Sequence, residues 1–189
     1  MRGAPALVPP EGLYGEFAAR FPYEETEDQQ NAIDSVIDDL GAGRPMDRLI
    51  CGDVGFGKTE VALRAAFLAA MEGLQVAVVV PTTLLARQHF KTFSQRFSGL
   101  PIRVRQASRL VGAKELAETK KGISDGTVDI VVGTHALLSD ATTFADLGLV
   151  VVDEQHRFGV DQREALRAKG TTPHALVLTA TPIPRTVAM

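Results

Sequence analysis

Short runs of β-branched and aliphatic residues alternate along this chain with stretches of helical periodicity, and that alternation most narrows the folds open to it. The runs fall at 48–51, 75–80, 102–106, 128–132, 147–152 and 175–178. They are apolar nearly throughout, as strands are when both faces of a sheet are covered. Helical patterns at 58–71, 84–97, 113–124 and 161–168 separate them. Strand, helix and strand repeated in this way predict a three-layer α/β domain: a mostly parallel central sheet with helices on both faces.

Ahead of the first run, Pro5, Pro9 and Pro10 make an extended lead-in, and Leu13, Tyr14, Phe17, Ala18 and Phe21 then fall at helical spacing. Beyond Pro22, Ile33, Val36, Ile37 and Leu40 mark a second helix that stops near Gly41 and Gly43. The expected organisation is an extension over 1–22 with one short helix, then one domain over 23–189. At 45% hydrophobic and 23% charged residues, a chain of 189 can bury a full core. Its longest apolar runs are too short to cross a bilayer and residues 1–10 lack a signal peptide's apolar region, so a soluble cytoplasmic protein with no membrane partner is expected. The single cysteine, Cys51, excludes an internal disulfide and reads as a small core residue. Four scattered histidines lack metal-ligand spacing, and His89 and His174 read as packing or surface residues.

In an open parallel sheet, ligands sit beyond the carboxyl ends of the strands. Polar residues gather there in this chain. Residues 52–59, GDVGFGKT, fit G-x-x-x-x-G-K-[ST] between a strand-like run and a helix. Gly52, Gly55 and Gly57 allow a tight turn whose N–H groups aim inward at phosphate, Lys58 reaches the β- and γ-phosphates, and Thr59 can hold Mg²⁺. The cofactors implied are ATP and Mg²⁺. Residues 150–154, VVVDE, deliver two adjacent carboxylates at a strand end. Asp153 is suited to share Mg²⁺ with Thr59, and Glu154 to orient the attacking water and accept its proton. Lys58, Asp153 and Glu154 are thus the candidate catalytic residues.

Asp153-Glu154-Gln155-His156 is also where a family resemblance becomes specific, since D-E-x-H resembles motif II of the superfamily 2 helicases and translocases. GDVGFGKT resembles motif I, PTTLLARQH (81–89) motif Ia, VGTHALL (132–138) motif Ib and TAT (179–181) motif III, in the family's order. Within that superfamily, FPYEETEDQ (21–29), the stretch 46–67, DEQHRFGV (153–160) and TATPIPRT (179–186) are similar to the bacterial transcription-repair coupling factors. The RecG branched-DNA helicases share the last two stretches, and Gln155 suits them slightly better.

The resemblance implies the first RecA-like lobe of an ATP-driven double-stranded DNA translocase that displaces stalled RNA polymerase in repair. It assigns Gln29 to reading the adenine edge, with Phe21 packed nearby. It gives Thr82, Thr83, Arg87, Thr134 and His135 backbone contacts to DNA, with Arg105 and Arg109 as extensions of that track. It gives His156 a place in the nucleotide site, coupled to Thr179 and Thr181. The chain stops just past motif III, so a second RecA-like lobe with motifs IV to VI, and the arginine finger it carries, are expected elsewhere in a longer parent. The lobe alone is then expected to turn over ATP weakly or not at all, and RNA polymerase and excision-repair proteins are expected to bind other domains. Two alternatives stay open: a RecG-type lobe, and a nucleotide-gated DNA-binding module without turnover.

Charge agrees with a polyanionic partner. The net charge is −3, yet between residues 87 and 121 Arg87, Lys91, Arg96, Arg103, Arg105, Arg109, Lys114, Lys120 and Lys121 are opposed only by Glu115 and Glu118. Such a stretch is either a phosphate-facing surface or a set of solvated helix faces. The only aromatics nearby, Phe90, Phe93 and Phe97, sit at core spacing, which favours backbone tracking of duplex DNA over base stacking.

Overall fold

A computed structural model describes residues 12–21, 26–42, 47–51, 56–107, 112–134, 137, 143–153 and 174–179. The expected helix at 161–168 lies outside them. Six strands, β1 (Asp47–Cys51), β2 (Gln75–Val79), β3 (Val104–Ala107), β4 (Ile130–Gly133), β5 (Leu147–Asp153) and β6 (His174–Thr179), form one sheet in the order β1-β6-β5-β2-β4-β3. Every pairing in it is parallel.

The strands are apolar on both sides because both sides are buried. Along β2, Val76 and Val78 point into one core with Val80 just beyond, while Ala77 and Val79 point into the other. The first core is the larger. It packs Leu149, Val151, Leu176 and Leu178 of the sheet against helices α1 (Leu13–Ala19), α2 (Glu27–Leu40), α3 (Phe56–Met71) and α4 (Thr83–Arg96). The second packs Val150, Val152 and Val177 against Ile123 of α5 (Ala113–Asp125) and against Leu137. Helix α3 is buried on all sides over residues 60–70, as a helix wrapped by sheet and other helices must be.

Helix α1 is docked by aromatic stacking. Phe17 is 1% exposed and lies between Phe67 and Phe97, with centroids 4.5 and 5.0 Å away. Arg20 and Arg96 then exchange donors across the contact. Arg20 Nη1 donates to the carbonyls of Arg96 (2.9 Å) and Ser98 (2.7 Å) at the end of α4, and Arg96 Nη2 donates to the carbonyl of Phe17 (3.2 Å).

Two strands begin later than their apolar runs suggest. β4 starts at Ile130, because the N–H of Val128 is still engaged by the carbonyl of Gly122 at the end of α5 and Asp129 turns to accept from the N–H of Arg103. β3 starts at Val104, because Leu100 and Ile102 close a tight turn around Pro101. The second helix begins at Glu27, ahead of its apolar stripe, held by a reciprocal cap: the N–H of Gln29 donates to Thr26 Oγ1 (3.1 Å), and the N–H of Thr26 donates to Gln29 Oε1 (2.8 Å).

Candidate functional site

The sheet order sorts the candidate residues into two neighbouring groups along one edge. β1 runs into the glycine-rich loop and α3, so Gly57, Lys58 and Thr59 occupy the first turn of α3. β6 lies beside β1, pairing Thr179 with Cys51. β5 lies beside β6, pairing Asp153 with Leu178. The ends of these three strands therefore bring Lys58, Thr59, Thr179 and Asp153 to one side of the carboxyl edge. Lys58, Thr59 and Asp153 are each partly exposed there.

The next two strands carry the second group. β2 leads into Thr82, the N-cap of α4, whose Oγ1 accepts from the N–H of Leu85 at 3.1 Å. Capping uses only an acceptor position of the Thr82 hydroxyl and leaves its hydrogen to donate outward. Thr83 opens the helix and Arg87 is exposed one turn on. β4 lies beside β2 and ends at Gly133, followed by the partly exposed Thr134. The N–H of Val80 donates to the carbonyl of Gly133 (2.9 Å), so motifs Ia and Ib leave the sheet side by side. Gly133 is required by close approach: a Cβ there would lie 2.5 Å from the carbonyl oxygen of Ala107.

Gly52, Gly55, Arg109, His135, Glu154, His156 and Thr181 lie outside the described residues, as does the side chain of Cys51. Gln29 is on α2, which packs on α3, and its side-chain oxygen is the one engaged in the cap. Phe21, expected near the adenine, packs against cations: the guanidinium carbons of Arg64 and Arg96 lie 5.9 and 6.0 Å from its ring centroid.

Two features were not anticipated from the sequence. The first is internal. Glu60, beside Thr59, is 1% exposed and accepts from Arg64 Nε (2.7 Å) and from both terminal nitrogens of Arg96. Arg96 is therefore a structural residue and not part of the basic surface. Arg87, Lys91, Arg103, Arg105, Lys114, Lys120 and Lys121 remain exposed. The second joins the two groups of site residues: His89 Nε2 lies 2.6 Å from Asp153 Oδ2, linking α4 to the end of β5. The ring also meets Phe93 edge-on, with centroids 6.4 Å apart. His89 lies on the same helix stripe as the buried Ala86 and Phe93, a spacing that turns it inward but does not name its partner.

Thr59 in the first turn of α3 and Asp153 at the end of β5 offer oxygen donors, the kind that suits a hard divalent cation. The start of α3, the Asp153 carboxylate and the capped, basic helix α4 thus lie along the same carboxyl edge of the sheet. Residues 26–189 match the DEAD/DEAH box helicase family, and the chain belongs to that family. It is 53% identical over 176 residues to the transcription-repair-coupling factor of Haemophilus influenzae, covering 93% of this chain and 15% of that protein. It is 52% identical over 184 residues to that of Bacillus subtilis, covering 97% and 16%. Among solved structures it resembles RecG bound to a three-way DNA junction, with a TM-score of 0.85 and 38% identity over 98% of this chain and 25% of that one. The helicase MrfA bound to DNA is alike in fold, with a TM-score of 0.69 at 19% identity. The chain thus spans about a sixth of the curated relatives it matches.

Proposed function

We propose that this chain is the ATP-binding lobe of a double-stranded DNA translocase that, in a longer parent with a second RecA-like lobe, displaces stalled RNA polymerase during DNA repair. The observation that carries the proposal is the register β1-β6-β5, which aligns the end of the phosphate-loop strand with Thr179 and Asp153. Lys58 binds the β- and γ-phosphates, with backbone N–H groups of the loop through Gly52, Gly55 and Gly57. Thr59 and Asp153 hold Mg²⁺, which when bound neutralises charge on the phosphates. Glu154 takes the proton of the attacking water. Gln29 contributes to adenine recognition through its amide, and His156, Thr179 and Thr181 relay the state of the site.

Thr82, Thr83, Arg87 and Thr134, with His135 and Arg109, contact the DNA backbone. Hydroxyls, helix-start N–H groups and one guanidinium fix position without reading sequence. Identity of 52–54% to transcription-repair-coupling factors, against 38% to RecG, supports polymerase displacement over branch remodelling. The RecG reading retains one observation of its own, a shared backbone over nearly the whole chain. Turnover by the full-length parent tests the assignment: Glu154→Gln retains ATP binding and loses DNA-stimulated hydrolysis. Undiminished hydrolysis contradicts the role of Glu154, and displacement of stalled polymerase against unwinding of branched DNA separates the two readings.

A further inference from the structure

His89 lies on the inner stripe of α4, 14% exposed, and reaches across from the helix after β2 to the carboxylate that ends β5. A carboxylate oxygen accepts, so Nε2 of His89 is the donor and carries the ring hydrogen. Two contacts fix the ring: Asp153 Oδ2 at 2.6 Å and the edge of the buried Phe93. Asp153 is itself 24% exposed, so its carboxylate would otherwise sample several rotamers at the strand end. Engaging Oδ2 sets the plane of the group and leaves Oδ1 as its other acceptor. Partners of this kind, which hold a metal-binding side chain in orientation, typically change metal affinity about 10- to 100-fold when removed.

We infer that His89 is a positioning residue for the metal site: its Nε2–H holds the carboxylate of Asp153 in the orientation that binds Mg²⁺ with nucleotide. This rests on the reading of Asp153 as a Mg²⁺ holder. It also places the positioning group on α4, the helix whose first turns carry Thr82, Thr83 and Arg87, so metal binding and strand contact share one rigid element.

The test separates the hydrogen bond from the packing of the ring. His89→Phe keeps an aromatic ring against Phe93 and deletes the donor; His89→Gln deletes the ring and supplies an amide donor of similar reach. Binding of a fluorescent ATP analogue to the 189-residue chain is titrated with Mg²⁺ for wild type, both variants and Asp153→Asn, with thermal unfolding of each recorded alongside. The expected result is a half-saturating Mg²⁺ concentration raised about tenfold in His89→Phe and at least as much in Asp153→Asn. His89→Gln should stay within about twofold of wild type, and metal-free nucleotide binding should be unchanged in both His89 variants. If Asp153→Asn shifts the Mg²⁺ requirement and His89→Phe does not, the positioning role is wrong while the metal site stands. Equal impairment of His89→Phe and His89→Gln, or of His89→Gln alone, assigns the residue to packing and overturns the inference. No change in Asp153→Asn overturns the metal-site reading and the inference with it.

Discussion

Arg96, near the end of α4, closes a buried ion pair with Glu60, the residue after Thr59 in α3, and lays its guanidinium over Phe17 of α1 with Cζ 4.6 Å from the ring centroid. One side chain thereby ties the helix of the phosphate loop to the helix of motif Ia and to the N-terminal helix. Breaking a buried pair by removing one partner typically costs about 3–5 kcal/mol, because the other charge stays behind unpaired. The two partners differ in what they leave. Arg96→Met leaves Glu60 paired with Arg64, whereas Glu60→Leu removes the one carboxylate that Arg64 and Arg96 share. Urea unfolding should therefore show Arg96→Met near the lower end of that range and Glu60→Leu at or beyond the upper end. The reverse order would contradict the network.

Phe17 fills the gap between Phe67 and Phe97, and truncating a buried phenylalanine costs about 3–5 kcal/mol. Phe17→Ala should lower the unfolding free energy obtained from urea titration by that amount. It should also raise amide exchange over Leu13–Ala19 above that of the sheet. Exchange unchanged in α1 would mean that the helix is held elsewhere.

Gly133→Ala forces a methyl group to within 2.5 Å of the Ala107 carbonyl oxygen and against Leu137, where backbone cannot yield without moving β3. Overpacking of this kind costs about 1–3 kcal/mol. Because Thr134 follows directly, DNA affinity should fall together with stability in this variant, measured by fluorescence anisotropy and urea unfolding. A loss in neither would show that the two strand ends separate freely.

The strand runs were legible because a parallel sheet covered on both faces asks for uninterrupted apolar residues, and 147–152 and 75–80 give them. The starts of β3 and β4 were not, since Ile102 and Val128 are buried without being in the ladder. An apolar run reports burial, and only backbone partners decide where pairing begins. Thr26-x-x-Gln29 is a capping-box pattern that the sequence displays openly, yet a glutamine before a phosphate loop draws attention to the nucleotide first. Arg96 and His89 were illegible for a different reason. Each is defined by a partner far along the chain, Glu60 36 positions away and Asp153 64 positions away, and no local periodicity distinguishes a solvated arginine or a packed histidine from one that meets a carboxylate.

In the proposed function, the edge formed by β1, β6 and β5 binds Mg-ATP through Lys58, Thr59 and Asp153. Isothermal titration of this chain with ATP, in Mg²⁺ and in excess chelator, alongside Lys58→Ala, tests it most directly. Saturable one-to-one binding, strongest with Mg²⁺ and lost in Lys58→Ala at unchanged thermal stability, is the expected result. Binding of equal strength in Lys58→Ala, or none in the folded wild-type chain, would contradict it.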